Sequence, residues 1–273
     1  MINALTIDVE DYFHVTAFER YVDRADWDSF PSRVVDNTLR ILDMADEYGV
    51  KATFFVLGWV AERSPGLVKR IQAAGHEIAC HGYAHGLVYR IGPKEFRKDV
   101  RMSKAILEDA CGKKVEGYRA PSYSITADSK WALDILVEEG FRYDSSIFPI
   151  RHDIYGIPGA ERFPHVIKTA SGDIKEFPIS TLEIGSVRLP VAGGGYLRLL
   201  PASLIKYAIK KINTAEGKPA LIYFHPWEID PGQPRIKAGL KSSFRHYTNL
   251  DKMAGKLRFL LEGIKFAPMG EIH

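Results

Sequence analysis

The 273-residue sequence predicts an α/β fold in which parallel strands and helices alternate to form a (β/α) barrel. Short runs rich in β-branched and aromatic residues recur along the chain, and each is followed by a longer stretch with helical periodicity. Prolines and glycines fall near the ends of these helical stretches, as they do at helix boundaries. Because one barrel can use a chain of this length, we expect a single domain over residues 1–273.

The first half of the chain contains the most regular part of this pattern. A first strand is predicted over Ala4–Val9, followed by a helix from Pro31 to Gly49 whose apolar residues recur on one face. The strands and helices that follow are predicted, in order, at Ala52–Leu57, Ser64–Gly75, Glu77–Cys80, Pro93–Ala110, Val115–Tyr118, Ala127–Glu139 and Phe141–Asp144.

The pattern changes in the second half. Residues at about 146–200 are rich in proline and glycine, with strand-like pieces at Glu176–Pro178 and Val187–Val191, which predicts an elaboration over one face of the barrel. A C-terminal segment is expected at about 239–273. Regular alternation resumes in three predicted elements, a helix, a strand and a helix, at Pro201–Thr214, Ala220–Phe224 and Asn249–Leu261.

Composition and charge limit the class of protein. The hydrophobic content of 46% is ordinary for a globular domain, and a net charge of +3 without a dense basic run argues against nucleic acid as a partner. The first residues carry acids but no Lys or Arg, and the longest apolar stretch, Ala52–Val60, is too short to cross a bilayer. Only two cysteines are present, which suits a reducing compartment. The sequence therefore predicts a cytoplasmic protein without a transmembrane segment.

Two histidines four residues apart suggest a metal site. His81 and His85 have the spacing that places two imidazoles on one side of a helical turn, where they can share a divalent cation. With nine histidines in the chain the spacing alone arises easily by chance, and one solvated and one packed histidine is the alternative. Their position is more informative, because they follow a predicted strand at the face where barrel enzymes assemble active sites.

A cluster of carboxylates lies where the first predicted strand ends. Asp8, Glu10 and Asp11 repel one another unless a cation or an arginine is nearby. In an extended chain Asp8 and Glu10 point to the same side, whereas Val9 and Asp11 point to the other. Asp8 and Glu10 are therefore the natural pair to face one site, with an ordinary acidic loop as the alternative.

Polar motifs also follow three further predicted strands, at Arg119, at Asp144 and at His225. Taken singly, each has a structural explanation: a surface ion pair for Arg119, a turn cap for Asp144 and a core histidine for His225. Taken together, five polar motifs at five strand ends predict the rim of an active site.

The order and spacing of these motifs resemble the polysaccharide deacetylases, also called carbohydrate esterase family 4. The resemblance extends from Ala4 to His225. The segments Gly193–Arg198 and Ser243–Asp251 further resemble the subgroup that accompanies bacterial exopolysaccharide and exosortase systems. The resemblance implies a distorted (β/α) barrel of the deacetylase type, which removes N-acetyl groups from an amino-sugar polysaccharide or its oligosaccharide precursor with a divalent metal ion, zinc being the expected one.

The resemblance also implies catalytic roles. Asp8 corresponds to the family's base, and Arg119 to the arginine that orients it. His225 corresponds to the catalytic acid, and Asp144 to the aspartate that tunes this acid.

The metal ligands implied by the resemblance begin with His81 and His85. Family members place a second aspartate directly after the base as the third ligand, but Val9 stands at that position here. Related branches of the family use an Asp-x-Asp arrangement, and this resemblance makes Glu10 the expected third ligand, with Asp11 as the alternative.

Three more residues, Tyr123, Trp227 and Arg198, are expected to contact an N-acetylated glycan substrate. Trp227 could stack on a sugar ring or pack in the core, and a backbone N–H near Ser122 or Tyr123 is expected to hold the oxyanion. Two other functions stay open: an amidohydrolase of the same superfamily acting on a small cyclic imide or ureide, and a barrel that only binds glycan. The sequence leaves undecided whether the glycan is lipid-linked or free, and what the oligomeric state is.

Overall fold

The computed structural model describes residues 1–152, 154–185 and 187–272 of the chain. Parallel strands form its centre and helices surround them. The strands are β1 (Asn3–Val9), β2 (Thr53–Val56), β3 (Glu77–Cys80), β4 (Gly117–Tyr118), β5 (Tyr143–Asp144), β6 (His165–Thr169), β7 (Gly172–Glu176), β8 (Thr181–Ile184), β9 (Val187–Pro190), β10 (Leu221–Phe224) and β11 (Phe266–Ala267). The helices are α1 (Val34–Glu47), α2 (Gly58–Arg63), α3 (Pro65–Ala73), α4 (Val88–Cys111), α5 (Trp131–Glu138), α6 (Gly195–Leu199), α7 (Ala202–Ala215), α8 (Leu240–Tyr247) and α9 (Leu250–Leu261).

The main sheet has the order β10-β1-β2-β3-β4-β5-β7-β6, with β11 also beside β1. Every neighbouring pair is parallel except the β6–β7 hairpin. In the central strand, Ile7 pairs with Phe224 of β10 and Asp8 pairs with Phe55 of β2. Because these strands run in one direction, their carboxyl ends meet at one face, and the residues that follow them are brought together there.

Beyond β10 the sheet continues only through an irregular segment, which distorts the barrel. The N–H of Tyr223 donates to the carbonyl of Ala192 at 2.9 Å, and Gly193 forms an isolated parallel bridge with Tyr223. A Cβ at position 193 would lie 1.8 Å from the carbonyl oxygen of Tyr223, so only glycine permits this approach. Gly194 follows with a φ of +53°. The predicted α/β distorted barrel is confirmed, and these glycines shape the backbone at its edge.

The helices cover the sheet with the apolar faces that their sequences predict. In α1, the buried residues Val34, Ile41, Leu42 and Ala45 recur at helical spacing and pack toward the strands. The predicted helix over Pro93–Ala110 is preceded by a further turn, because α4 begins at Val88 and is interrupted where Gly92 has a φ of +75°. Among the described helices, none combines the length and the apolar character that crossing a bilayer requires.

Several elements differ from the sequence prediction. The hairpin of β6 and β7 lies in the region expected to be an elaboration, yet β7 pairs in parallel with β5 and extends the main sheet. Strand β6 was not predicted, because its sequence has no clear alternation of apolar and polar residues. Its residues are alternately half-buried and exposed. The helices α2, α6 and α8 were not predicted because each is at most eight residues long and carries little periodicity.

Candidate active site and metal centre

A cavity of about 320 Å³ lies at the carboxyl ends of the parallel strands. Most of the residues singled out in the sequence border it. They are Asp8 and Glu10 at the end of β1, His81 and His85 after β3, Tyr123 after β4, and His225 after β10, together with Trp227 and Arg198. Of the predicted site residues, Arg119 and Asp144 lie buried behind the cavity wall.

Glu10, His81 and His85 form a buried cluster whose candidate ligand atoms all lie within 4.8 Å of one another. Nε2 of His85 is 2.9 Å from Oε2 of Glu10. Nδ1 of His81 is 2.8 Å from the carbonyl oxygen of Arg119, and since a carbonyl can only accept, this nitrogen carries the proton and Nε2 keeps its lone pair. Two imidazoles and one carboxylate are a donor set that suits a zinc-type ion with an open coordination position.

The electrostatics of this cluster favour ligation. Burial lowers the pKa of His81 to about 4, so the imidazole is neutral and able to bind a cation at ordinary pH. Burial alone raises the pKa of Glu10, but the nearby His85 and His225 outweigh it and hold the pKa below its ordinary value. The cluster therefore offers one carboxylate and a neutral imidazole to an incoming ion.

The histidines do not lie on a helical turn, as their spacing suggested, but in the loop that follows β3. Gly82 has a φ of +72° and His85 a φ of +52°, so the backbone turns twice within this loop. The N–H of Tyr83 donates to the Asp99 carboxylate on α4 at 3.0 and 3.1 Å, which fixes the middle of the loop. The two histidine rings are therefore brought together by the irregular backbone of this loop and not by helical geometry.

Asp11, the alternative third ligand, is placed away from the cluster. Its Oδ2 accepts hydrogen bonds from Ser32 Oγ at 2.8 Å and from the N–H groups of Arg33 and Val34 at 2.8 and 3.1 Å. These N–H groups lie at the start of α1. The Asp11 side chain therefore caps this helix, although Asp11 is 22 residues before Arg33 in the chain. Glu10 is the carboxylate that the structure brings to the two histidines.

Asp8 is held by a fully buried arginine. Nη1 of Arg119 donates to Oδ1 of Asp8 at 2.6 Å and to Thr6 Oγ1 at 2.8 Å, and its other nitrogens donate to the carbonyl and hydroxyl of Ser145. Burial acts to lower the pKa of Arg119, but Asp8 outweighs it and raises the pKa above its ordinary value. Oδ2 of Asp8 lies 3.9 Å from Nε2 of His225, at the cavity. The placement agrees with an arginine that orients a base.

His225 is held from the opposite side by Glu228. Nδ1 of His225 is 2.7 Å from Oε1 of Glu228, and Nε2 points toward Glu10 Oε1 at 3.6 Å. Burial acts to lower the pKa of His225, but the carboxylates of Glu10, Glu228 and Asp8 outweigh it and raise the pKa to about 9. His225 is therefore protonated at neutral pH, with its Nε2–H at the cavity.

Asp144 was expected to tune His225, and the structure places it elsewhere. Ser146 Oγ donates to Asp144 Oδ1 at 2.5 Å and accepts from the N–H of Ala120 at 2.7 Å, so Asp144 supports the loop after Arg119. Glu228 takes the position beside His225. The sequence carries a signal for this, because His225-Pro-Trp-Glu228 has the spacing of a capping box, in which the fourth residue reaches back to the first.

Arg198 was expected to bind substrate, and four of the five N–H donors of its buried guanidinium are used within the protein. Its Nε donates to Oε2 of Glu228 at 2.7 Å. Its Nη atoms donate to the carbonyls of Arg245, His246 and Thr248 at 2.7, 2.7 and 3.2 Å. Arg198 therefore supports Glu228, and through it His225; since Arg198 also borders the cavity, the substrate contact expected for it stays a prediction.

Trp227 packs against the site rather than projecting into it. Its ring stacks on His225, with centroids 5.0 Å apart, and on His246, with centroids 4.1 Å apart. Its Nε1 donates to Oε1 of Glu10 at 3.2 Å, and only 4% of the residue is exposed. Of the two roles open for Trp227, packing is the one these contacts support.

Backbone strain is concentrated at the cavity. Four non-glycine residues of the described chain have a positive φ, and three of them, His85, Ser122 and Tyr123, border the cavity. Such conformations persist only where surrounding contacts impose them, and they occur preferentially at functional sites. The substrate contact expected for Tyr123 stays a prediction.

Two family models match the chain in succession. Residues 26–142 match the model described as "Polysaccharide deacetylase", and residues 145–273 match a domain of unknown function, DUF3473. The metal-site histidines lie in the first match and His225 with Glu228 in the second.

The chain also resembles curated deacetylases over part of its length. It is 37% identical over 98 residues to a peptidoglycan-N-acetylglucosamine deacetylase of Bacillus cereus, covering 36% of each chain. It is 36% identical over 100 residues to a chitooligosaccharide deacetylase of Sinorhizobium fredii, covering 36% of this chain and 44% of that one. The aligned part therefore spans less than half the length of these relatives.

A solved structure shares the fold over nearly the whole chain. It comes from Mycobacterium smegmatis, carries a provisional assignment as a polysaccharide deacetylase, and aligns with a TM-score of 0.61 at 22% identity, over 99% of this chain and 87% of that one. The family model and the curated relatives therefore support the polysaccharide deacetylase family over the part of the chain that they match, and the solved structure shows the shared fold.

Proposed function

We propose that this protein is a metal-dependent hydrolase that removes N-acetyl groups from an amino-sugar-containing glycan. One observation carries the proposal: the buried Glu10, His81 and His85 cluster lies beside two further groups, Asp8 and His225, held in position for proton transfer. The names of the curated relatives, which deacetylate peptidoglycan and chitooligosaccharide, support the same class of substrate.

An amide is a weak electrophile with a poor leaving group, so its hydrolysis needs an activated water, stabilisation of the carbonyl oxygen and a proton for the departing amine. Glu10, His81 and His85 would hold a zinc-type ion, which would supply water activation near neutral pH and polarisation of the carbonyl. The remaining requirements are met by side chains of the protein itself.

Asp8 accepts the proton from the attacking water through Oδ2, because Oδ1 is engaged by Arg119. His225 donates the proton from Nε2 to the amine nitrogen as the C–N bond breaks, while Glu228 stabilises the imidazolium through Nδ1. Of the two backbone donors expected for the oxyanion, the N–H of Tyr123 already donates to the carbonyl of Ala120 at 3.0 Å. The N–H of Ser122 is therefore the one we assign to the oxyanion.

Finer aspects of the function are part of the same proposal. We expect zinc as the ion, an exopolysaccharide or its precursor as the glycan, and a cytoplasmic location. The match of residues 145–273 to the DUF3473 model supports a specialised subgroup of deacetylases, since this segment supplies the acid His225 and its support.

The test is acetate release from a panel of N-acetylated oligosaccharides, with chelator and after restoring zinc. We expect turnover that chelator abolishes and zinc restores, and a loss of at least about a hundredfold in Asp8→Asn and in His225→Ala. Turnover of cyclic imides with none of the glycans would instead assign the chain to the amidohydrolases. Binding of glycan without any acetate release would leave a non-catalytic barrel.

A further inference from the structure

A cationic surface lies beside the cavity, in the segment of residues 235–247. Between Pro231 and Leu250 the sequence contains no Asp or Glu, but it contains Arg235, Lys237, Lys241 and Arg245. Within the described residues, no carboxylate forms an ion pair with any of these four cations. The segment therefore presents uncompensated positive charge at one place on the surface.

The same surface exposes large apolar side chains. Leu240, the first residue of α8, is 91% exposed, and Phe244, one helical turn later, is 62% exposed. Residues four apart lie on the same side of a helix, so both project from one face of α8. Tyr21, whose hydroxyl approaches Gly239, adds a further ring that is 49% exposed.

The surface is rigidly attached to the active site. On the inner side of α8, His246 is buried and stacks on Trp227, and the carbonyls of Arg245 and His246 hold Arg198. On the outer side, Phe244 and Arg245 border the cavity itself. The exposed face of α8 therefore lies next to the mouth of the cavity, and these contacts hold it there.

We propose that residues 235–247 dock this mouth on an anionic lipid bilayer, where Leu240 and Phe244 insert at the interface and the cations contact lipid headgroups. This inference rests on the proposed function and specifies its substrate as a membrane-attached N-acetylated glycan. The sugar of this glycan would enter the cavity next to the bilayer surface. Basic residues flanking exposed Leu and Phe on a short helix are the composition of interfacial helices.

The apolar side chains favour a bilayer over a soluble polyanion. An acidic polysaccharide would bind the cations without giving Leu240 an apolar environment. A bilayer satisfies both features, since each basic residue near an anionic surface and each inserted apolar side chain contribute independently to binding.

The test is cosedimentation of the chain with vesicles of phosphatidylcholine, alone or with about one-third phosphatidylglycerol. We expect binding to the anionic vesicles and little to the neutral ones. Lys237→Gln combined with Lys241→Gln should weaken binding about 25-fold, at about fivefold for each lysine. Leu240→Ser should weaken it about tenfold.

Matched control variants lie at the opposite end of the strands. Lys113→Gln with Lys114→Gln removes the same amount of positive charge, from the loop that connects α4 to β4. Ile2→Ser removes an apolar side chain that is 53% exposed and lies just before β1. These controls should bind vesicles as the parent does. Absence of vesicle binding, equal binding to neutral vesicles, or equal losses in the controls would overturn the inference.

Two further measurements separate this inference from the proposed function. The Lys237, Lys241 and Leu240 variants should release acetate from a soluble N-acetylated oligosaccharide at the parental rate, so an inactive parent refutes the proposed function irrespective of vesicle binding. Binding of a soluble acidic polysaccharide that the lysine changes weaken and Leu240→Ser leaves unchanged, without binding to vesicles, would assign the surface to a polyanion and overturn the inference.

Discussion

Replacing Glu228 by glutamine should move the alkaline limb of the pH–rate profile to lower pH. In the proposed mechanism His225 acts in its protonated form, and its pKa is raised above the ordinary value to about 9, so activity should be present below this pKa and lost as pH rises through it. Glu228 lies 2.7 Å from Nδ1 of His225 and is one of the carboxylates that raise this pKa. The amide of Gln keeps the shape of the side chain and removes its charge.

The size of the effect follows from the geometry. Loss of a carboxylate in direct contact lowers a histidine pKa by about 1–3 units. A shift of about two units moves the alkaline limb down by about two pH units, and at a pH midway between the two limbs it predicts an approximately tenfold loss of kcat/KM. A cation bound at Glu10 lowers the pKa of His225 in parent and variant alike, so the displacement between their profiles is the quantity to compare.

The assay is the pH dependence of kcat/KM for acetate release, measured for both proteins with saturating metal. Asp144→Asn is the matched control, because Asp144 is an equally buried carboxylate that contacts Ser146 and not His225. It should lower stability and leave the alkaline limb in place. A limb that moves in Asp144→Asn and stays fixed in Glu228→Gln would refute the assignment of Glu228 as the partner of the acid.

Further predictions concern the metal site and the backbone. Glu10→Gln should weaken zinc binding at least about a hundredfold by isothermal titration calorimetry, whereas Asp11→Asn should keep zinc affinity and lose about 1 kcal/mol of unfolding free energy in urea through the weakened α1 cap. Gly82→Ala should weaken zinc binding about tenfold, since φ is +72° and the new Cβ would lie 2.9 Å from a carboxylate oxygen on α4; unchanged affinity would contradict this account of the loop. Gly193→Ala should cost at least about 2 kcal/mol in urea unfolding, because the backbone of β10 blocks the added methyl, and a smaller cost would show that the bridge to β10 is dispensable.

Much of the site could be predicted because parallel strands gather their carboxyl ends at one face. Asp8 lies near the end of β1, and His81, Arg119 and His225 each directly follow a predicted strand, so the predicted strand positions also gave the positions of these side chains. Strand alternation paired Asp8 with Glu10 at one site, and the family resemblance made Glu10 the expected metal ligand.

The residues that sequence reasoning misplaced depend on contacts between distant segments. The partner of His225 could not be found from strand ends, because Glu228 lies in the short turn after β10 and not at the end of another strand. The hydrogen bonds of Arg198 could not be predicted either, because its buried partners lie at least 30 residues away in the chain, at Glu228 and at the end of α8. Short helices such as α8 carry too few residues to establish a period, so its exposed face had no signature in the sequence.

The three backbone carbonyls that accept hydrogen bonds from Arg198 have a consequence for how the sequence of this protein can change in evolution. Because carbonyl oxygens and not side chains receive the guanidinium, the side chains at 245 and 248 can be exchanged in evolution without altering these contacts, whereas the buried His246 also stacks on Trp227. An insertion or deletion there would displace all three oxygens at once. Homologues should therefore tolerate substitution at 245 and 248 while keeping the length of this stretch constant, and a chain cut between the two matched segments would keep His81 and His85 but lose His225, the proposed proton donor.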